Sequence, residues 1–129
     1  MKKGTLKVCS IGNLKDYSSP VNFMIVRKLL SPVNNTIHLP ELSPSETLLN
    51  TALEAKRNNN IEQLNKALDR FEQRLNEPNY LAVIKMIKHE FLDKGIDVTL
   101  VCYCPKLEHC HRQRVANKFK SLDCNVVMV

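Results

Sequence analysis

Apolar positions follow two rhythms along this chain. Short, β-rich runs alternate with longer stretches in which apolar residues recur every three or four positions. Lys7 to Ile11 reads as a first strand, stopped by Gly12-Asn13. Phe23 to Val26 reads as a second, ending at Arg27, and Thr36 to Leu39 as a weaker extended segment in a connection punctuated by Pro32, Pro40 and Pro44. Asp97 to Cys102 is a continuous apolar run, the pattern of a central strand covered on both faces. Asn125 to Met128 is a last, short, β-branched strand.

The helical stretches carry clearer start and stop signals. Ser43-Pro44-Ser45-Glu46 has the form of a capping box with Pro44 at the first helical position, and Leu48, Leu49, Ala52 and Leu53 follow on one face. Asn60 caps a second helix, with Gln63 three positions on and a stripe of Ile61, Leu64, Leu68, Phe71 and Leu75. A third helix begins near Pro78, carries Tyr80, Ile84, Ile87 and Phe91, and stops at Gly95. A fourth runs from about Cys110 to Leu122. Helix, strand, helix and strand in succession predict parallel pairing through right-handed crossovers. Only Leu14 to Asn22 separate the first two strands, which is short for a parallel crossover. The expected architecture is α/β: a small, mainly parallel sheet of four strands with helices on both faces and Asp97–Cys102 at its centre.

Length and composition narrow the class. The 129 residues, 43% hydrophobic and 25% charged, suit a single domain over 1–129 with its own core. No run has the length to cross a membrane, and Met1-Lys2-Lys3-Gly4-Thr5 lacks the apolar region of a secretory signal. Five cysteines, an odd count, point to free thiols and a cytoplasmic setting. The net charge of +6 is uneven: residues 1–28 contribute +5, residues 101–129 contribute +3, and the middle −2. If both ends build one face, that face attracts an anion, so a nucleotide or nucleic acid is an expected partner and a membrane is not.

Three of the five cysteines fall in the segment Val101-Cys102-Tyr103-Cys104-Pro105-Lys106-Leu107-Glu108-His109-Cys110-His111-Arg112. It lies at the carboxyl end of the predicted central strand and opens a helix, where open parallel sheets bind ligands. Free N–H groups and the helix dipole favour an anion there, and Arg112 and Lys106 add charge. With Val115, Phe119 and Leu122 as the buried stripe, a spacing of about 100° per residue turns His111 and Arg112 towards the sheet and Cys110 and Arg114 towards solvent. An inward Arg112 then needs a carboxylate, carbonyls or a bound anion, and a phosphate, a sulfate or a buried carboxylate is the expected contact. Arg27, at the end of the second strand, would reach the same edge.

Several chemistries fit these residue types. Cys104 or Cys110 is a candidate nucleophile, activated by His109 or His111 and the helix end. Anion binding with incidental thiols is another. Cys102, Cys9 and Cys124 read as core residues, since cysteine is among the most buried types. A metal site has suitable ligand types, but His109, Cys110 and His111 are consecutive and cannot all turn to one ion, and no second Cys-x2-Cys pair exists; neither a metal nor another cofactor is expected. A phosphatase loop is excluded, because the residues six after Cys102, Cys104 and Cys110 are Glu108, Cys110 and Ala116, none of them Arg. His38 reads as a loop residue and His89 as the polar side of a helix.

Val101-Cys102-Tyr103 followed by Glu108-His109-Cys110-His111-Arg112 resembles the family of domain of unknown function 488. The first strand closing on Ile11-Gly12-Asn13, the second ending in Arg27 and the turn Leu42-Ser43-Pro44-Ser45 agree more loosely. The resemblance implies a Rossmann-like layered fold and a polar pocket in a family common in bacteria and their phages, with a suspected role near nucleotides or nucleic acids and no settled activity. Cys104 stands where the family often has a charged residue, so the resemblance assigns it no role. Taken together, the expected function is an enzyme acting on a phosphate-bearing nucleotide or nucleic acid. Its catalytic candidates are His111, Cys110 and Cys104, and its anion-binding candidates Arg112, Arg27, Lys106 and Asn13. The alternative is a non-catalytic binding module for the same ligands, such as a phage regulator of its host. The absence of Trp and the small number of other aromatics disfavour a single-strand stacking surface and favour a pocket.

Overall fold

Every residue of Val98–Cys102 is buried, as the continuous apolar run requires. The computed structural model describes residues 2–129. Its strands are β1 (Thr5–Ser10), β2 (Val21–Met24), β3 (Ile37–His38), β4 (Val98–Cys102) and β5 (Asn125–Met128). They form one sheet in the order β3-β2-β4-β1-β5, with every neighbouring pair parallel. β4 is central. The sheet has five strands rather than four, because the weak segment around Thr36–Leu39 supplies the two-residue β3. His38 is therefore a strand residue, not a loop residue, and its Nε2 donates to the Val26 carbonyl at 2.7 Å.

The helices are α1 (Leu14–Tyr17), α2 (Glu46–Arg57), α3 (Ile61–Arg74), α4 (Pro78–Glu90) and α5 (His111–Ser121). Right-handed crossovers sort them by face. The chain moves one way across the sheet from β1 to β2 and β3, then back to β4 and on to β5, so the two sets of connections lie on opposite sides. Side chains of β4 mark those sides. Cys102 and Leu100 point towards α5, which packs on β1, β4 and β5 and against α3, with α2 behind. The Phe91 ring, just past α4, meets the edge of Phe23, which is paired with Leu100, so α4 shares that face. Thr99 points the other way, towards the single turn α1: its hydroxyl meets the Tyr17 carbonyl at 2.6 Å and the Ser19 hydroxyl at 2.7 Å. Helices do occupy both faces, but very unevenly. The same polar contacts explain how a parallel crossover fits in so few residues. One helical turn suffices when a buried threonine ties it to the strand it crosses.

Local signals mostly act where expected. Asn60 caps α3 by accepting from the Gln63 N–H at 3.0 Å. Gly95 ends the turn after α4 with φ 81°, a left-handed conformation suited to glycine. Three assignments differ. α4 ends at Glu90 rather than at Gly95, the chain going on as a 3-10 turn over Leu92–Lys94. The cap of α2 is Ser45, which accepts from the Leu48 N–H, so Pro44 precedes the helix instead of starting it; Ser43 is buried and donates to the Pro40 carbonyl at 2.6 Å. Ile61, the first residue of the α3 stripe, is half exposed because it precedes the part of the helix that α2 and α5 cover. Gly4 is required by close approach: a Cβ there would lie 2.3 Å from the Ile96 carbonyl oxygen. Among the described residues, no helix is long and apolar enough to cross a membrane.

Candidate functional site

β4 delivers Cys102 to the carboxyl edge of the sheet, and the chain returns through Tyr103–Cys110 to α5. The return needs a reversal immediately before the helix. His109 makes it in the left-handed region at φ 60°, which is strained by about 1 kcal/mol for a residue with a Cβ. Its Nδ1 is held by Asn65 Oδ1 of α3 at 3.2 Å. Cys110 follows as the cap, in an extended conformation at φ −117° and ψ 143°. The helical angle of 100° per residue therefore does not apply to it. Instead of facing solvent, Cys110 is 1% exposed and its sulfur lies 3.4 Å from that of Cys102. Cys104 completes the group: the three sulfurs all lie within 4.8 Å of one another. Cys102, read as core, is buried as expected but belongs to this cluster as well.

Arg112 and His111 do lean inward, on either side of the Val115 and Phe119 stripe. The Arg112 guanidinium is 1% exposed and meets neither phosphate-accessible space nor an Asp or Glu side chain. Its Nη1 donates to the Cys104 carbonyl at 2.7 Å and contacts Cys102 Sγ at 3.2 Å and Cys110 Sγ at 3.5 Å. Nε and Nη2 both donate to the main-chain oxygen of Val129. Of the partners open to an inward arginine, main-chain oxygens meet it here, together with sulfur. Arg114, expected in solvent, lies against α3 and pairs with Asp69 and Glu72, because α3 packs alongside α5. The His111 ring sits edge-on to Phe71, and its Nε2 donates to the Ile25 carbonyl at 2.7 Å. That bond fixes the tautomer: Nδ1 is left as an acceptor, 3.9 Å from Cys110 Sγ.

The charge state of the cluster follows from these contacts. The thiols of Cys102 and Cys110 turn on Cys104 and, with His111 and the Lys56 ammonium, hold its thiol far below the ordinary range despite partial burial. Cys110 is pushed far up, by its contacts with Cys102 and Cys104 and then by burial. Cys102 is raised, first by Cys104. The thiolate form is therefore favoured at Cys104 over Cys102 and Cys110. The Arg112 cation, although burial works against it, is held charged by Cys102 and Cys110.

Cys104 is also the member of the cluster that meets open space. It lines a cavity of about 360 Å³ between the sheet edge and α2, with Leu49, Ala52, Arg27, Lys56 and His111. Lys56 Nζ lies 3.7 Å from Cys104 Sγ. Arg27 is three positions beyond the end of β2, but it does reach this cavity, its guanidinium steered by the carbonyls of Pro44 at 3.0 Å and Ser43 at 3.2 Å. Lys106 lies on the other side of Cys104, in an adjoining hollow of about 270 Å³ with His109. Asn13 ends the turn after β1 and lines neither space. Sequence patterns did not mark Lys56, because a lysine on a middle helix reads as a solvated residue; yet it stands four positions after Ala52 and three after Leu53, on the same face of α2, and lines the cavity with them. Tyr103 was visible in the motif but carried no assigned role; its hydroxyl accepts from the Leu30 N–H at 2.9 Å, closing the loop 27–30 over the cavity.

A search of curated proteins finds no match. A family model described as the Active DUF488-N3 subclade matches residues 6–121, from β1 to the end of α5 and across the whole thiol cluster. The chain belongs to the DUF488 family.

Proposed function

We propose that the chain is an enzyme acting on a phosphate-bearing nucleotide or nucleic acid, with Cys104 and His111 presenting the reactive atoms. One observation carries the reading: apolar walls, three cations and a thiol–imidazole pair meet in one cavity of about 360 Å³. That volume suits a small organic ligand, and apolar lining with few polar groups is the usual make-up of such sites. Leu49, Ala52 and Val26 offer a wall for a base, while Arg27, Lys28 and Lys56 offer charge for phosphate. Cys104 is the sulfur such a ligand would reach; contacts with Cys102 and Cys110, then His111 and the Lys56 ammonium 3.7 Å away, favour its thiolate. His111 Nδ1, an acceptor, is placed to take a proton near it. The family description, which names an active subclade, agrees with an enzyme. Arg112 has a different role in this reading: it supports the cluster from behind.

The test begins with nucleotides and short oligonucleotides screened by thermal shift. Lys56→Ala and Arg27→Ala are expected to weaken binding about tenfold each, as for a charge-assisted contact of about 1.5 kcal/mol. Cys104→Ser is expected to keep binding and lose turnover. Binding that collapses with salt and spreads over long oligonucleotides without turnover would replace the enzyme with a binding module. No shift with any phosphate-bearing ligand would overturn both.

A further inference from the structure

The geometry points to a metal centre at the same cluster: we propose that Cys102, Cys104 and Cys110 bind one zinc-class ion, with His111 Nδ1 as the fourth donor. The motif counts against this at first, since His109, Cys110 and His111 cannot share one ion. The fold separates them. His109 turns to Asn65, Cys110 to the other thiols, and only His111 remains beside the sulfurs.

Three independent features agree. The first is spacing. A tetrahedral site with Zn–S bonds of about 2.3 Å places its sulfurs roughly 3.8 Å apart. Here they lie within 4.8 Å of one another, with Cys102 and Cys110 at 3.4 Å, so small side-chain rotations would seat an ion. The second is the imidazole. A metal-ligating histidine typically donates its other nitrogen to a carbonyl or carboxylate, which fixes the tautomer and aims the free lone pair. His111 does this through Ile25, and its Nδ1 faces Cys110 Sγ at 3.9 Å. The third is charge. Three thiolates around a divalent ion leave one net negative charge. Arg112 Nη1 lies against Cys102 and Cys110, and Lys56 stands beside Cys104. A site for a bare divalent cation would not carry a guanidinium in its wall; a trithiolate site would use one.

The inference deepens the proposed function without depending on it. A zinc-bound sulfur stays deprotonated and remains a nucleophile. Cys104, the ligand facing the cavity, would then be held as a thiolate by the ion. The ion would also tie β4 to the start of α5.

The experiment uses the whole chain with no nucleotide present, so it can succeed or fail independently of the ligand screen. The protein is purified without chelator for elemental analysis, then stripped and titrated with Co2+. The expected result is one equivalent bound, with thiolate-to-cobalt charge transfer and the visible bands of a tetrahedral site. Cys104→Ser, which changes the least buried ligand, should abolish those bands while its circular dichroism stays that of the parent. His111→Ala should alter the band pattern and weaken binding; Cys124→Ser should change nothing. Zinc should raise the melting temperature of the stripped parent and not that of Cys104→Ser. A cobalt spectrum without thiolate charge transfer, or one indifferent to Cys104→Ser, would overturn the proposal.

Discussion

Arg112 is the largest of the fully buried side chains, and its surroundings determine what its loss would cost. Removing it takes the donors from the part-buried main-chain oxygens of Val129 and Cys104 and empties the largest buried side-chain site. Each unsatisfied group costs about 1–3 kcal/mol, so Arg112→Ala is expected to lower the unfolding free energy by about 3 kcal/mol or more in urea titrations. Arg112→Lys should recover less than half of this. A single ammonium cannot reach both carbonyls, which the guanidinium serves from different nitrogens. At this scale the sequence was partly legible. The inward lean of His111 and Arg112 followed from helical spacing alone. Cys110 did not, because a cap residue has strand-like dihedrals and escapes the helical wheel. Nor did the partners of Arg112, which come from positions 104 and 129 and meet only through the sheet.

The elements were easier to read than their packing. β4, α3 and β5 could be read within a residue or so, because each combines a clear period with a breaker at its end; α4 was placed correctly at its start but ends at Glu90, four residues short of Lys94, where the chain tightens into a 3-10 turn before Gly95. The start of α2 shows how a local rule misplaces a boundary. Ser43 and Ser45 both stand before an acidic helix start, and the Pro between them fits either side. The structure assigns the cap to Ser45 and gives Ser43 a buried bond to Pro40. Ser45→Ala is therefore expected to cost about 1 kcal/mol, the usual worth of a cap. Chemical denaturation of Ser45→Ala with a Ser45→Asp companion tests this: Asp should retain the stability, and an unchanged midpoint in Ser45→Ala would refute the assignment. The approach of α2 to the thiols was not legible. Its contacts with α3 are set by side chains on both helices; the spacing of Lys56 from Ala52 and Leu53 gives the face it shares with them, but not what that face meets.

The whole molecule is a sheet whose centre is dry and whose edges are thin. β1, β2 and β4 hold the most buried residues, while β3 has two residues and β5 alternates between exposed and half-buried. Amide exchange is expected to follow this gradient, slowest at Val8 and Leu100 and fastest at Ile37 and His38, with Val127 close behind. Uniform protection across the five strands would contradict it. The gradient also bears on when the site can form. β5 pairs with β1 by placing Asn125 opposite Thr5, the most sequence-distant pairing in the sheet. Pairings across such distances form slowly, because the chain entropy between them must be lost first. Arg112 holds the carbonyl beside Cys104 with one nitrogen and the end of β5 with two others. The loop that shapes the thiol cluster is thus clamped to the slowest part of the sheet. During refolding, chemistry at Cys104 should appear only when β5 has docked, so the return of the site would report the completion of the fold.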